Sequence, residues 1–104
     1  MAVISISGPK KSQVTIDAIS EETDTIVVRA GETLSLSIDG SYTGTIQLQR
    51  SFDGTNWKAV EDYAATGATN SQKDIIAAVN AFWRAISTAW TSGTGATVIL
   101  ASSG

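Results

Sequence analysis

The sequence contains no cysteine and no histidine, and only one proline in 104 residues. Without cysteine there is no disulfide, no thiol nucleophile and no zinc-thiolate site. Without histidine the commonest general base and the commonest metal ligand are both missing. Positive charge is also scarce: 7 Lys and Arg stand against 10 Asp and Glu, for a net charge of -3. A nucleic-acid binder would carry a basic patch, so no nucleic-acid partner is expected. No apolar run approaches the roughly 20 residues of a membrane-spanning helix, so no membrane partner is expected. In the first eleven residues the short apolar stretch precedes Lys10 and Lys11, the reverse of a secretory signal. The expectation is a complete product made in the cytoplasm.

Hydrophobic residues make up 42% of the chain and charged residues 16%. This excludes the lean, highly charged composition of a disordered chain and the Glu/Lys/Leu-rich composition of a coiled coil. Ser and Thr supply 26 of the 104 residues. The length suits one domain. The net charge lies entirely in residues 1–39, whereas residues 40–104 balance four acids with four bases. The acidic part reads either as solvated turns or as a surface for a basic partner.

Period-two alternation dominates, which is the strand signal. Leu34, Leu36 and Ile38 alternate with small polar residues, and so do Ile46 with Leu48 and Val14 with Ile16. Ile26–Val28 and 96–100 are rich in the β-branched residues that suit a pleated surface. Turn residues fall between these runs at 30–32, 39–41, 53–54 and 91–95. The pattern predicts an all-β fold, an antiparallel β-sandwich of jelly-roll or immunoglobulin-like type with about seven or eight short strands. Residues 74–79 are read as a strand or loop crossing that sandwich.

Gly8-Pro9 breaks the chain after a first apolar run. Residues 1–20 are therefore set apart from a sandwich domain at 21–104, either as an edge strand of the same sheet or as an arm pairing with a neighbouring subunit. The candidate interface residues are Ile4, Ile6, Val14 and Ile16 in that segment, with Phe82, Trp83 and Trp90 later. Phe82 and Trp83 are neighbours on an expected strand and face opposite sides, so one ring leaves the core.

Catalytic signals are weak. The carboxylates at 21–24 and 61–62 have no fixed separation across a cleft, and a serine nucleophile would lack a histidine base. No catalytic, cofactor-binding or metal-binding residue is assigned, although Asp53, Asp62 and the 21–24 run offer oxygens to calcium. The aromatic residues would serve as core, as interface or as a platform for a host glycan.

The stretch from Gly44 to Val60, Gly-Thr-Ile-Gln-Leu-Gln-Arg-Ser-Phe-Asp-Gly-Thr-Asn-Trp-Lys-Ala-Val, resembles a hairpin of small β-sandwich virion proteins of tailed bacteriophages. Phe82-Trp83-Arg84-Ala85-Ile86-Ser87 and Thr91-Ser92-Gly93-Thr94 are similar to the closing aromatic-Arg strand and turn of such proteins. Ser51–Trp57 also resembles a shortened Asp-box. These resemblances imply a structural turn in which Asp53 caps amides, Gly54 takes a special backbone conformation and Trp57 packs beneath. They imply no catalytic role. The implied function is a capsid decoration (cement) protein, non-enzymatic, a homo-oligomer on the phage head surface, with the major capsid protein as partner. A tail, neck or fibre component and a glycan-binding module are the alternatives.

Overall fold

The computed structural model describes residues 10–103. Five strands follow one another: β1 Lys11–Ile16, β2 Ile26–Val28, β3 Thr33–Ser51, β4 Lys58–Ile76 and β5 Ala81–Ser102. There is no helix among the described residues. All strands join one antiparallel sheet in the order β1-β5-β3-β4, and β2 pairs with the start of β5.

Three of these strands are far longer than expected. The turns expected at 39–41 and 91–95 do not form; β3 runs through Gly40 and β5 through Gly93 and Gly95. The reason lies in the register. β5 carries extra residues at Thr88, Thr91 and Thr94, where its pairing with β3 shifts three times. Each bulge bends its strand and raises the local twist. Gly40 permits the bend, because a Cβ on it would lie 2.2 Å from the carbonyl oxygen of Gly95. What the sequence marks as breaks are corners within continuous strands.

The corners fold the sheet back on itself. Ile76, the last residue of β4, lies opposite Thr33, while Phe82 at the start of β5 lies opposite Ser51. Straight, β3 would separate these points by about 60 Å. Residues 77–80 span at most about 17 Å. The ends of β3 are therefore brought to the same end of the molecule. Further ties hold them there: Val28 pairs with Ala81, and Ala30 N–H donates to Asn80 Oδ1 at 2.9 Å, which joins the chain entering β3 to the chain entering β5. Glu61 and Lys73, twelve residues apart on β4, form an ion pair at 3.8 Å.

One buried cluster draws on both halves. Leu34, Leu36 and Ile38 from one half meet Ile46, Leu48 and Trp83 from the other in a single buried cluster. Tyr42 sits at the corner, buried, with its hydroxyl donating to Tyr63 O at 2.8 Å and its ring stacked on Trp90 at 5.3 Å. The β4 side is less well closed. Tyr63, Ala65 and Ile75 point inward but stay half-buried, because no described strand lies beyond them. Residues 74–76, part of the segment read as a crossing piece, are the end of β4.

Candidate functional site: the β3–β4 turn and its outer aromatic residues

The turn between β3 and β4 is built around one carboxylate. Asp53 Oδ1 accepts the N–H groups of Thr55 and Asn56, each at 2.8 Å, and the Ser51 hydroxyl at 2.9 Å. Asp53 Oδ2 accepts the Asn56 side-chain amide at 2.6 Å. Ser51 Oγ in turn accepts Gly54 N–H at 2.8 Å. The two turn N–H groups, then the Asn56 and Ser51 side chains, hold the Asp53 carboxyl well below the usual carboxylate range. Gly54 has φ +79°, in the left-handed region that favours glycine. Asp53 and Gly54 are thus placed as the turn motif requires. Trp57 is not. The ring beneath Gly54 is that of Phe82, which a Cβ on Gly54 would meet at 3.7 Å. Trp57 instead lies half-buried under the Arg84 guanidinium, 4.3 Å from the ring centre.

Arg84 organises the outer face of this half of the sheet. Its Nε donates to Gln49 Oε1 at 2.8 Å and its Nη1 to Glu22 Oε2 at 2.9 Å. Gln49 Nε2 donates to Gln47, and Gln47 Nε2 to Asp62 Oδ1. The chain of polar contacts runs from the 17–25 link across β5 and β3 to β4. At the end of the sheet, Arg50, Phe52, Asp53, Asn56 and Lys58 line a shallow hollow of about 180 Å3. Arg50 lies 4.8 Å from the Phe52 ring centre and 5.7 Å from that of Trp83. Phe52 is 64% exposed.

The structure separates the candidate interface residues. Ile4 and Ile6 lie outside the described residues. Ile16 and Trp83 are buried in this chain's own core, and Val14 and Trp90 pack against it. None of these four offers an open surface in the single chain. Trp83 faces inward and Phe82 outward, so the ring that leaves the core is Phe82. Parity along β5 is set by its bulges, which alternation alone does not reveal. Trp83 Nε1 is buried without a hydrogen-bond partner.

The described part of the segment 1–20, from Lys10 onward, is joined to the sheet as an edge strand. Within it, β1 pairs with β5 from Lys11↔Ala101 to Ile16↔Ala96. Ser20 N–H donates to Ser87 O, and the Ser87 hydroxyl donates to Ala18 O at 2.6 Å. Several of the oxygens considered for calcium have partners in the chain: Glu21 accepts Asp17 N–H, Glu22 faces Arg84 and Asp62 accepts from Gln47. Among the described residues no group of three or more His, Cys, Asp or Glu is placed to hold a metal ion. No described helix is long and apolar enough to cross a membrane.

Sequence reasoning places Tyr42 among the candidate aromatic residues and quotes Ser51, Asn56 and Arg84 within motifs, but gives none of the four its own role. Ser51 and Asn56 flank Asp53 at the spacing of side-chain capped turns, and that signal was present. Arg84 and Tyr42 depend on cross-strand register, which the sequence does not display.

Compared with known proteins, no family model matches the chain, and no curated protein and no solved structure is similar enough to count as a match.

Proposed function

We propose that this chain is a non-enzymatic structural protein of a tailed-phage virion, a capsid decoration protein that binds the outside of the head and stabilises it. Its partners in this reading are the major capsid protein and further copies of itself. One observation carries the reading. The two sequence patches that resemble phage virion proteins, 44–60 and 82–94, lie side by side on paired strands. Gln49 faces Arg84, Arg50 faces Trp83 and Ser51 faces Phe82. They are thus neighbouring parts of one strand pair. We also read the fold as a β-sandwich formed from a single bent sheet. The fold-back of β3, β4 and β5 around one cluster supports this, since each long strand then contributes a segment to either layer. Counted so, three bent strands and two short ones give the seven or eight segments the sequence suggests.

A second reading has its own support. Phe52 and Trp57 present aromatic surface beside Arg50, Lys58 and Arg84, a combination that suits stacking against a sugar ring. One experiment divides the two: sedimentation of the protein with undecorated phage heads, beside a glycan array. Saturable binding to heads with a silent array supports the virion role. A strong array signal without head binding moves the function to glycan recognition.

A further inference from the structure

The two flanks of the sheet end differently. The β5 flank is covered by β1 and β2. Among the described residues the β4 flank ends on β4 itself, which has 19 residues and pairs with β3. A sheet edge exposes unpaired N–H and C=O groups, and proteins guard such edges with charge, proline, bulges or shortness. The first part of β4 is guarded by a bulge at the register shift beside Leu48 and Gln49 and by Lys58, Glu61 and Asp62. Residues 63–72, Tyr-Ala-Ala-Thr-Gly-Ala-Thr-Asn-Ser-Gln, contain no charge and no proline. The inward side chains here are only half-buried. Among the described residues the edge has neither a backbone partner nor a side-chain cover.

We infer that this edge of β4 receives residues 3–7 of a second copy as an added strand. The inference rests on the proposed assembly role and names the surface that assembly uses. Val3-Ile4-Ser5-Ile6-Ser7 has the strand period, with Ile4 and Ile6 on one side. Seated on β4, that side completes the open flank of the core beside Tyr63 and Ala65, and the backbone pairs with the free groups of the edge. The same chain cannot supply the strand. Its segment departs at Lys10, whose carbonyl accepts Ser102 N–H at the far, β1 side of the sheet. Passing β1, β5, β3 and β4 to reach the open edge covers four strand spacings, about 19 Å. Residues 3–7 end three residues before Lys10, a reach of about 10 Å at roughly 3.3 Å each, so this chain's own copy of the segment falls short of that edge. A neighbouring copy has no such restriction. Each copy then gives a segment and receives one, a head-to-tail contact that closes into a ring or propagates along a surface.

The test is amide hydrogen exchange on the full chain across a concentration series, with sedimentation velocity on the same samples. Exchange at residues 63–72 slows at least about tenfold as copies associate. The full-length Ile4→Asp/Ile6→Asp variant remains monomeric and shows no such slowing. Adding a peptide of residues 2–11 to that variant restores protection on β4 and nowhere else. Protection by the peptide at β1, or at no strand, overturns the inference. If wild type associates and binds heads while β4 exchange is unchanged, the acceptor edge is wrong and the assembly role stands. If the variant associates and binds heads like wild type, the segment has no part in assembly and the inference fails with it.

Discussion

β3 has a long antiparallel partner on each side, and the two partners differ in kind. β5 is clamped between β3 on one side and β1 and β2 on the other. Its inward residues Ala81, Trp83, Ala85, Ala96, Val98 and Leu100 are all buried. β4 has the same opportunity on one side only, and none of its residues is buried. Composition follows the same division. β5 sets Trp83, Val98 and Leu100 among small residues at its inward positions, whereas the inward positions of β4 from 63 to 71 hold Tyr63, Ala65, Gly67, Thr69 and Ser71. Gly and Ala are depleted in strands, so β4 is held as a strand by its pairing with β3 more than by its own preference. Strand identity here comes from register and neighbours on one flank, and from side-chain burial on the other.

The largest effect that sharpens this contrast is at the corners. Gly40→Ala drives a Cβ to 2.2 Å from Gly95 O in the β3–β5 pair. It is expected to cost more than about 4 kcal/mol and to abolish cooperative unfolding. Gly67→Ala at the β4 corner meets nothing within 4 Å and carries only the strain of φ +142°. Its expected cost is about 1–3 kcal/mol. Urea titration followed by tryptophan fluorescence compares the two, and equal losses would erase the distinction between the flanks.

Core truncation gives the next step down. Ile38→Ala, at a fully buried position of β3, is expected to cost about 2–5 kcal/mol. Ile75→Ala on β4 removes a half-buried side chain, and the loss is expected to stay below about 2 kcal/mol. The same denaturant titration reads both.

The turn that joins β3 to β4 offers a smaller contrast. Asp53→Ala removes the acceptor of two backbone N–H groups and two side chains, and is expected to lower the melting temperature clearly. Asp62→Ala on β4 removes one contact with Gln47 and is expected to change the melting temperature little. An equal response at both positions would show that the turn geometry around Asp53 is not what joins the strands.

The smallest effect is pH dependence on the β1 flank. Glu32 accepts from Lys10 Nζ at 2.8 Å, from Arg29 N–H at 2.8 Å and from the Ser102 hydroxyl at 3.0 Å. The Lys10 contact first, then the Arg29 amide, holds its carboxyl down to about 2 from an ordinary value of 4.5. A carboxyl lowered on folding stabilises the native state above its unfolded value and loses that contribution as pH falls through the folded one. Thermal stability therefore declines between pH 4.5 and about 2. Glu32→Gln should flatten that decline in a pH series of melting curves.

Much of this was legible in the sequence, and the illegible part has identifiable causes. The alternation at 34–38, 46–48 and 96–100 marks segments that are strands with the inward side chains buried. Asp53 and Gly54 announce their turn. The corners were misread because glycine, serine and threonine clusters look alike whether a strand ends or bends; close backbone approach at Gly40 and the bulges of β5 decide between them. β4 was barely visible, since its inward positions are filled by Tyr63, Ala65, Gly67, Thr69 and Ser71, a weak hydrophobic alternation. The facing of Phe82 and Trp83 depends on the register of β5, and the place of Trp57 depends on Arg84, a residue across the sheet.

The central claim is that long strands fold back at their corners, so that two halves of one sheet enclose the core. Glu61 and Lys73 test it most directly, because they lie twelve residues apart on β4 and their charged groups meet at 3.8 Å. The chain has no cysteine, so Glu61→Cys/Lys73→Cys places two spin labels at these sites alone. Pulsed electron-spin distance measurement should give a separation below about 25 Å, against about 40 Å for the same residues on a straight strand. A distribution centred near the longer value would contradict the fold-back and the core built on it.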